Sequence, residues 1–185
     1  KYLTVYVFST ENWKRPKTEV SFLMNLLKEL IIKEIPALNK EGARVRCLGA
    51  MEELPKKLQE KIKEAEKETK NNKIININLM INYGSRKELT ESIKKINQDL
   101  QTKKLTFSEI NEETISQYLY TKEIPDPDLL IRTGGDIRIS NYLLWQIAYS
   151  ELFFLDTLWP DFNKEHLFSL VKKFQDRERR FGGIK

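Results

Sequence analysis

The sequence contains few of the residues on which disulfides, metal clusters and histidine catalysis depend. Its 185 residues include one cysteine and one histidine. A single cysteine excludes an internal disulfide and a multi-cysteine metal site. Cys47 is therefore interpreted as a small buried residue of a strand, which fits a reducing compartment. His166 is interpreted as a surface residue of a late amphipathic helix, which argues against a histidine-based catalytic triad.

Long apolar runs and the common motifs of nucleotide-binding enzymes and metalloproteases are also missing. No apolar run approaches the roughly 20 residues of a membrane-spanning helix, and the chain opens on "KYLTVYVF" without a signal peptide. The sequence has no Walker A loop, no G-x-G-x-x-G and no H-E-x-x-H. We therefore expect a cytoplasmic protein whose chemistry depends on other residues.

The residues that are present predict a single α/β domain over residues 1–185. Apolar residues make up 40% of the chain, enough for one core, and no segment resembles a linker. Short apolar segments alternate with longer amphipathic ones, which favours a mostly parallel central sheet with helices on both faces. The predicted strands are residues 2–8, 43–49, 74–84 and 128–133, and the predicted helices are residues 19–34, 54–69, 85–100, 112–119, 141–153 and 164–180.

The net charge is a weak guide to the partner. Lysine and arginine number 32 against 27 acidic residues, which leaves a formal charge of +5 with both signs interspersed. This excess favours an anionic partner but does not distinguish nucleic acid from a small phosphate. The lysine-rich segment at residues 55–73 is interpreted as a solvated helix face with opposite-charge pairs.

Polar clusters follow three of the four predicted strands. "FSTENWKRP" follows the first strand, "NYGSR" the third and "RTGGDIRIS" the fourth. In an open α/β sheet ligands bind at the carboxyl ends of the strands, so these clusters predict one binding edge. "PDPD", at residues 125–128, precedes its strand and is interpreted as a turn rather than a metal motif.

The cluster "RTGGDIRIS" has the residues of a diphosphate site. Gly134 and Gly135 allow a sharp turn and close approach to a ligand. Arg132 and Arg138 could each bind phosphate oxygens in a bidentate manner, and Ser140 adds a hydroxyl just before the predicted helix.

Glu151 is predicted to lie on the apolar stripe of that helix, with Leu144, Ile147 and Ala148 at helical spacing. A carboxylate there needs a partner, which is either an arginine of the same cluster or a divalent cation that also holds the diphosphate. The spacing leaves both alternatives open. Asp136 is interpreted as a solvated turn residue.

The first cluster offers similar chemistry. Ser9 and Thr10 supply hydroxyls, Asn12 an amide, Trp13 an apolar wall and Arg15 a positive charge next to a proline. The alternative is a plain strand-to-helix connection in which the tryptophan fills the core.

These clusters, together with "LWPDF" and "RERRFGG", resemble the cis-prenyltransferases, in particular the bacterial undecaprenyl diphosphate synthases. The motifs occur in order over essentially the whole chain. The resemblance implies that isopentenyl diphosphate is condensed onto farnesyl diphosphate, with Mg²⁺, to give undecaprenyl diphosphate, the precursor of the cell-wall lipid carrier. It also implies a homodimer, a hydrophobic product tunnel and peripheral contact with the inner face of the membrane through the lipid product, with no nucleic acid involved.

The resemblance assigns roles residue by residue. Glu151 matches a metal-contacting glutamate, which favours Mg²⁺ over an arginine, and Asn12 matches a residue proposed to act in proton removal. Since an amide is a weak base, we favour an orienting role for Asn12. The positions that match isopentenyl diphosphate contacts are Arg132, Arg138, Ile139 and Ser140. The positions that match the condensation site and the helix start after it are Ser9, Thr10, Glu11, Trp13, Arg15 and Glu19.

Other parts of the family pattern are less complete. In relatives the R-x-G arrangement of Arg180 and Gly182 reaches the neighbouring subunit's active site. Relatives also carry a preceding strand and helix with a "DGNGRWA"-like loop that holds the catalytic aspartate, and nothing in this sequence matches it. The sequence is therefore interpreted as an N-terminally incomplete enzyme, with a catalytically silent partner subunit as the alternative. Ile137 stands where some relatives have a metal-contacting histidine, so that contact is not transferred.

Two points remain open. Leu23, Leu27, Leu79 and Ile81 are candidates for the tunnel wall or for ordinary core. A module that binds the phosphate backbone of nucleic acid would use the same arginines, but it would leave Glu151 as a cost unless that carboxylate is paired, and its affinity would fall steeply with salt.

Overall fold

The computed structural model describes residues 1–177, in which strands alternate with helices. Every strand pair is parallel, so the predicted α/β class with parallel strands is confirmed. Residue contacts divide the chain into two compact units, Lys1–Ile124 and Pro125–Lys185, called here the N-terminal and C-terminal units. Within residues 1–177 no helix is both long enough and apolar enough to cross a membrane.

The N-terminal unit is built on a three-stranded sheet in the order β1-β3-β2. Its elements agree with the predicted ones to within a few residues, except that α1 continues beyond the predicted end at residue 34. The buried Ile35, four residues after the buried Ile31, and Leu38, which packs against the core, continue its packing face beyond residue 34. The strands are β1 Tyr2–Ser9, β2 Ala43–Leu48 and β3 Ile75–Tyr83, and the helices are α1 Lys17–Lys40, α2 Lys56–Thr69, α3 Ser85–Gln101 and α4 Glu112–Tyr118.

The main core of this unit contains the buried faces of α1 and α2 and the alternate side chains of β2. Cys47 is buried there, as predicted, and burial raises the pKa of its thiol. Leu27 and Ile81 belong to the same core, and Leu23 and Leu79 pack against it. All four therefore have the packing of ordinary core residues within this unit.

The outer edge of β2 is closed by side chains of α2 and of the turn that follows it. The Val45 N–H donates to Thr69 Oγ1 at 3.0 Å and the Cys47 N–H to Glu66 Oε1 at 2.7 Å. Asn72 Nδ2 donates to the Ala43 carbonyl at 2.8 Å. These bonds satisfy backbone groups that a further strand would otherwise pair with, which protects an exposed sheet edge.

A buried carboxylate links β3, α3 and the segment after α4. Glu88 is only 1% exposed. Its Oε2 accepts a hydrogen bond from the Tyr83 hydroxyl at 2.7 Å, and its Oε1 accepts one from the Tyr120 N–H at 2.8 Å. Because a buried carboxylate is tolerated only when it is hydrogen-bonded, this network holds the three segments together.

The C-terminal unit differs from the prediction in one important respect. Strands β4 Leu129–Arg132 and β5 Glu151–Phe154 pair in parallel, and helix α5 Lys164–Gln175 follows. The predicted helix over residues 141–153 is wrong, since residues 141–150 form turns and residues 151–154 form β5. Ser140, Asn141 and Leu143 have φ values of 45°, 60° and 48°, which belong to the left-handed region and cannot continue a right-handed helix.

Candidate functional site

The loop after β1, residues Ser9 to Arg15 and called here the first loop, is a single 3₁₀ turn. Asn12 Oδ1 accepts a hydrogen bond from the Ser9 N–H at 2.9 Å. This bond fixes the amide so that its oxygen is used within the loop and its NH₂ group remains as a donor. Asn12 is therefore oriented as a hydrogen-bond donor, which fits the orienting role predicted for it better than the role of a base.

Trp13 is anchored by its ring nitrogen. Trp13 Nε1 donates to Asn82 Oδ1 at 2.7 Å, and the indole lies edge-on to Phe8 with the ring centroids 5.4 Å apart. The residue is still 37% exposed. One edge of Trp13 therefore packs against the protein, as a core residue would, while the rest of the indole remains exposed as an apolar surface of the first loop.

Asn82, near the end of β3, connects the first loop with the loop after β2. Besides accepting from Trp13, it donates through Nδ2 to the Ala50 carbonyl at 2.8 Å and to Glu53 Oε2 at 2.9 Å. Asn82 is fully buried. The loops that follow β1 and β2 are therefore both fixed to one amide near the end of β3. The cluster "NYGSR" was predicted to lie at the binding edge, but no role was predicted for its asparagine, Asn82.

We expect Asn82→Ala to lower the free energy of unfolding by about 4 kcal/mol, of which about 3 kcal/mol comes from the loss of three hydrogen bonds worth about 1 kcal/mol each. Asn82 also has a φ of 50°, in the left-handed region that alanine disfavours by about 1 kcal/mol. Asn82→Gly is the matched control because it removes the same bonds without that penalty. Urea unfolding of both variants should show the glycine variant to be the more stable. Equal stability of the alanine variant and the wild type would contradict the role of Asn82.

Charges around the first loop are mostly paired. Arg15 Nη1 lies 2.9 Å from Glu19 Oε1, and both side chains are about half exposed, so the pair orients Arg15 but adds little stability. Glu53 accepts from the Lys87 ammonium, and this bond, with the one from Asn82, lowers the pKa of its carboxyl. The first loop thus presents the positive charge of Arg15 next to the carboxylate of Glu19.

The loop after β4, Arg132 to Ser140 and called here the arginine turn, gathers the predicted phosphate-binding residues of the C-terminal unit. Arg132 Nη1 donates to Ser140 Oγ at 2.7 Å. Arg132 Nη2 and Arg138 Nη2 both donate to Asp136 Oδ2, at 2.8 Å and 2.5 Å. Asp136 is therefore not merely a solvated turn residue, because it holds the two guanidinium groups side by side. Asp136 follows Arg132 by four residues and precedes Arg138 by two, so an acid between two arginines was the available signal.

The two glycines of the arginine turn form the predicted sharp turn, and their N–H groups are used within the protein. Gly134 and Gly135 have φ values of 92° and 79°, as the sharp turn requires. Their N–H groups donate to the carbonyls of Thr157 at 2.9 Å and Leu155 at 2.8 Å. They tie the turn to the segment after β5 and do not offer these donors to a ligand. A Cβ placed on Gly134 would meet no atom within 4 Å, so the approach to the turn is open.

Ser140 does not precede a helix, because residues 141–150 form turns. The two isoleucines of the arginine turn differ in exposure. Ile137 is 82% exposed, whereas Ile139 is half-buried. The hydroxyl of Ser140 is held by Arg132, so its position depends on the turn and not on a helix N-terminus.

Glu151 is the first residue of β5, paired with Leu129 of β4, and not part of a helical stripe. Its side chain is 22% exposed and forms an ion pair with Arg177, which lies just beyond α5. The Arg177 guanidinium also lies over the Phe153 ring, 4.7 Å from its centroid. An arginine thus pairs with Glu151, but it comes from residue 177 and not from the arginine turn.

His166 completes a capping box at the start of α5. Asn163 Oδ1 accepts from the His166 N–H at 3.1 Å, and His166 Nδ1 accepts from the Asn163 N–H at 3.3 Å. Arg180 and Gly182 lie outside the described residues.

Parallel strands that end in an anchored polar loop or in a turn with two arginines are typical of α/β enzymes that bind anionic substrates at the strand ends. A family model of undecaprenyl diphosphate synthases matches residues 1–182. The isoprenyl transferase of Clostridium tetani is 47% identical over 100% of this chain and 72% of its own length. That of Thermotoga maritima is 48% identical over 100% of this chain and 78% of its own length.

Solved structures give the same result. The lavandulyl diphosphate synthase from Lavandula x intermedia, in complex with dimethylallyl diphosphate, has a TM-score of 0.95 and 33% identity over 99% of this chain and 79% of its own. A protein from Campylobacter jejuni described as a probable undecaprenyl diphosphate synthase has a TM-score of 0.88 and 38% identity over 99% of this chain and 84% of its own. The chain belongs to the undecaprenyl diphosphate synthase family of isoprenyl transferases, which confirms the predicted prenyl transferase.

Proposed function

We propose that this protein condenses isopentenyl diphosphate onto farnesyl diphosphate to give a long-chain polyprenyl diphosphate, namely undecaprenyl diphosphate. The observation that carries the proposal is the pair Arg132 and Arg138, held side by side by Asp136 at the end of β4 in a chain of this family. Two guanidinium groups so arranged suit a diphosphate, whose oxygens accept bidentate hydrogen bonds.

The two arginines have different tasks. The Arg132 side chain is 23% exposed and donates to three partners within the turn, so it mainly shapes the site. Arg138 is 64% exposed and is bonded to Asp136 through one nitrogen, which leaves further donors for the diphosphate of isopentenyl diphosphate. Ser140, held by Arg132, adds a hydroxyl, and Ile139 lies beside it.

In the reaction, the bond between the allylic carbon and the diphosphate oxygen breaks, and the electron pair leaves with the diphosphate. The double bond of isopentenyl diphosphate then forms a new carbon–carbon bond with the allylic carbon, and a proton is lost to a base. Asn12 orients the substrates as a donor, Trp13 supplies an apolar wall, and Ser9, Thr10, Glu11 and Arg15 form the rest of the first loop. Glu19, in the first turn of α1, pairs with Arg15. A positive side chain such as Arg15 stabilises negative charge that develops on the leaving diphosphate.

Mg²⁺ fits this proposal only as an ion shared with the substrate. Among residues 1–177 there is no group of three or more His, Cys, Asp or Glu that could hold a metal by itself. Mg²⁺ commonly binds through one or two carboxylates together with substrate phosphates and water, and Glu151 is the carboxylate we assign. When bound, the ion would neutralise diphosphate charge.

The proposed assembly is a homodimer, with peripheral membrane contact through the lipid product. A silent partner subunit is less consistent with the chain, because the arginine turn that such a subunit would not need is complete here. A nucleic-acid module is also disfavoured, because a family model of undecaprenyl diphosphate synthases matches residues 1–182. The ion pair of Glu151 with Arg177 offsets the cost of that carboxylate and so does not bear on this alternative.

The test is product analysis with the protein expressed from its full gene. Radiolabelled isopentenyl diphosphate is supplied with farnesyl diphosphate or dimethylallyl diphosphate, and the products are separated by chain length. We expect long-chain polyprenyl diphosphate from farnesyl diphosphate and little from the shorter starter. Absence of any condensation product, with Mg²⁺ present, would contradict the proposal, and a short product from dimethylallyl diphosphate would overturn the assigned starter and chain length.

A further inference from the structure

The N-terminal unit contains a basic cleft of about 520 Å³ that the proposed reaction does not use. It lies between β2, α2 and the segment Tyr120 to Glu123, and none of its lining residues belongs to the first loop. Its cationic side chains are Arg44, Arg46, Lys63, Lys67, Lys70 and Lys122. We call it the β2 cleft.

The strand and the helix direct these cations to the cleft by their periodicities. Alternate residues of β2, including Val45 and Cys47, face the main core, so Arg44 and Arg46 lie on the opposite face of the strand. The lysines of α2 are spaced at i, i+4 and i+7, which places them on one side of the helix. The helix face predicted to be merely solvated is therefore also a wall of a concave site.

Arg46 is the cation that most needs a partner. Its side chain is only 16% exposed, and its Nε is buried without a hydrogen-bond partner among residues 1–177. The nearest carboxylate, Glu123, lies 3.7 Å from Arg46 Nη1 and is 69% exposed. A loose contact with a solvated acid does not compensate a buried guanidinium nitrogen, because an unsatisfied buried donor is costly.

The two acids of the cleft, Glu66 and Glu123, are outnumbered by its six cationic side chains. Glu66 Oε1 accepts the Cys47 N–H at 2.7 Å and so helps to close the edge of β2. The cleft therefore keeps an excess of positive charge around a partly desolvated arginine.

We propose that the β2 cleft binds a small anion with two or more phosphate groups, at a site separate from the arginine turn. The volume lies in the range of small-molecule sites. The planar fork of Arg46, with the second arginine beside it, matches phosphate oxygens, and the lysines supply the remaining charge. A concave site of this size suits a compact polyanion better than an extended strand or a flat surface. The proposal is independent of the proposed reaction.

The experiment uses sodium tripolyphosphate as the probe, titrated by calorimetry into the full-length protein. The background is Arg138→Ala, which weakens binding at the arginine turn. We expect saturable binding that Arg46→Gln weakens by at least about tenfold, the usual effect of losing a charge-assisted hydrogen bond. Arg46→Lys should give a smaller loss because it keeps the charge without the fork.

Two further variants separate specific binding from general charge. Glu123→Gln should strengthen binding by about two- to fivefold, because it removes an exposed acid that competes for Arg46. This residue is exposed, so the variant tests the cleft even if Arg46→Gln does not fold. Lys40→Gln, exposed on α1 and outside the cleft, is the matched charge control and should leave the affinity unchanged.

Three outcomes would overturn the proposal. The first is an equal loss for Lys40→Gln and Arg46→Gln, and the second is no change for Glu123→Gln. The third is no saturable binding of tripolyphosphate, including the case in which short single-stranded DNA binds through the same residues instead.

Discussion

Replacing Arg138 by alanine is expected to raise the KM for isopentenyl diphosphate by about 10- to 100-fold, because a lost charge-assisted contact is worth about 1.5 to 3 kcal/mol. The KM for the allylic substrate should stay within about twofold. Arg138 projects from the arginine turn, is 64% exposed and has one internal partner, Asp136. Its removal should therefore affect ligand binding much more than folding.

Arg132→Ala provides an informative contrast. Arg132 donates to the Arg138 carbonyl, to Ser140 and to Asp136. Its loss should both weaken isopentenyl diphosphate and lower the melting temperature, whereas Arg138→Ala should do only the former. Steady-state kinetics with each substrate varied, together with melting curves, separate the two effects. An equal rise of both KM values in Arg138→Ala would contradict the assignment of this arginine to isopentenyl diphosphate.

The parts of the fold that depend on local periodicity were predictable from the sequence. The strands of the N-terminal unit and helices α2 and α3 agree closely with the predicted segments, because their buried residues alternate in strands and recur at helical spacing in helices. The turns at residues 141–150 were not predictable in this way. Their apolar residues are spaced as in a helix, and the left-handed residues Ser140, Asn141 and Leu143 carry no glycine signal.

The contacts that shape the candidate site were harder to predict because they join distant residues. Asn82 bonds to Trp13 from 69 positions away, and Arg177 reaches Glu151 from 26 positions away. Residue types at the strand ends indicate which residues are available, but only the parallel register of β1 and β3 brings Trp13 to Asn82. The contacts of Asp136 could have been predicted, since its partners Arg132 and Arg138 lie within four residues of it in the sequence.

The ion pair between Glu151 and Arg177 gives the proposed metal role a direct test. Glu151→Gln keeps the size of the side chain but removes the charge that a hard cation needs. We expect its turnover to fall by at least tenfold, which corresponds to about 1.4 kcal/mol of transition-state stabilisation. Raising the Mg²⁺ concentration should partly restore it.

Glu151→Gln should change the stability of the protein much less than its turnover. Arg177 is 48% exposed, so the broken pair should cost about 1 kcal/mol or less and lower the melting temperature by about 2 to 4 °C. Arg177→Gln is the matched control, because it breaks the same ion pair and leaves the carboxylate in place. It should show a similar loss of stability but should keep most of the turnover and an ordinary Mg²⁺ dependence.

The two variants together decide what Glu151 does. If Glu151 holds Mg²⁺, the activity loss follows the carboxylate and appears only in Glu151→Gln. If Glu151 serves only to anchor Arg177, both variants lose activity and stability to the same extent, and neither changes the Mg²⁺ titration. Measuring melting curves and Mg²⁺ titrations of turnover on both full-length variants distinguishes these results. The second result would refute the metal assignment and leave diphosphate binding to Arg132, Arg138 and Ser140.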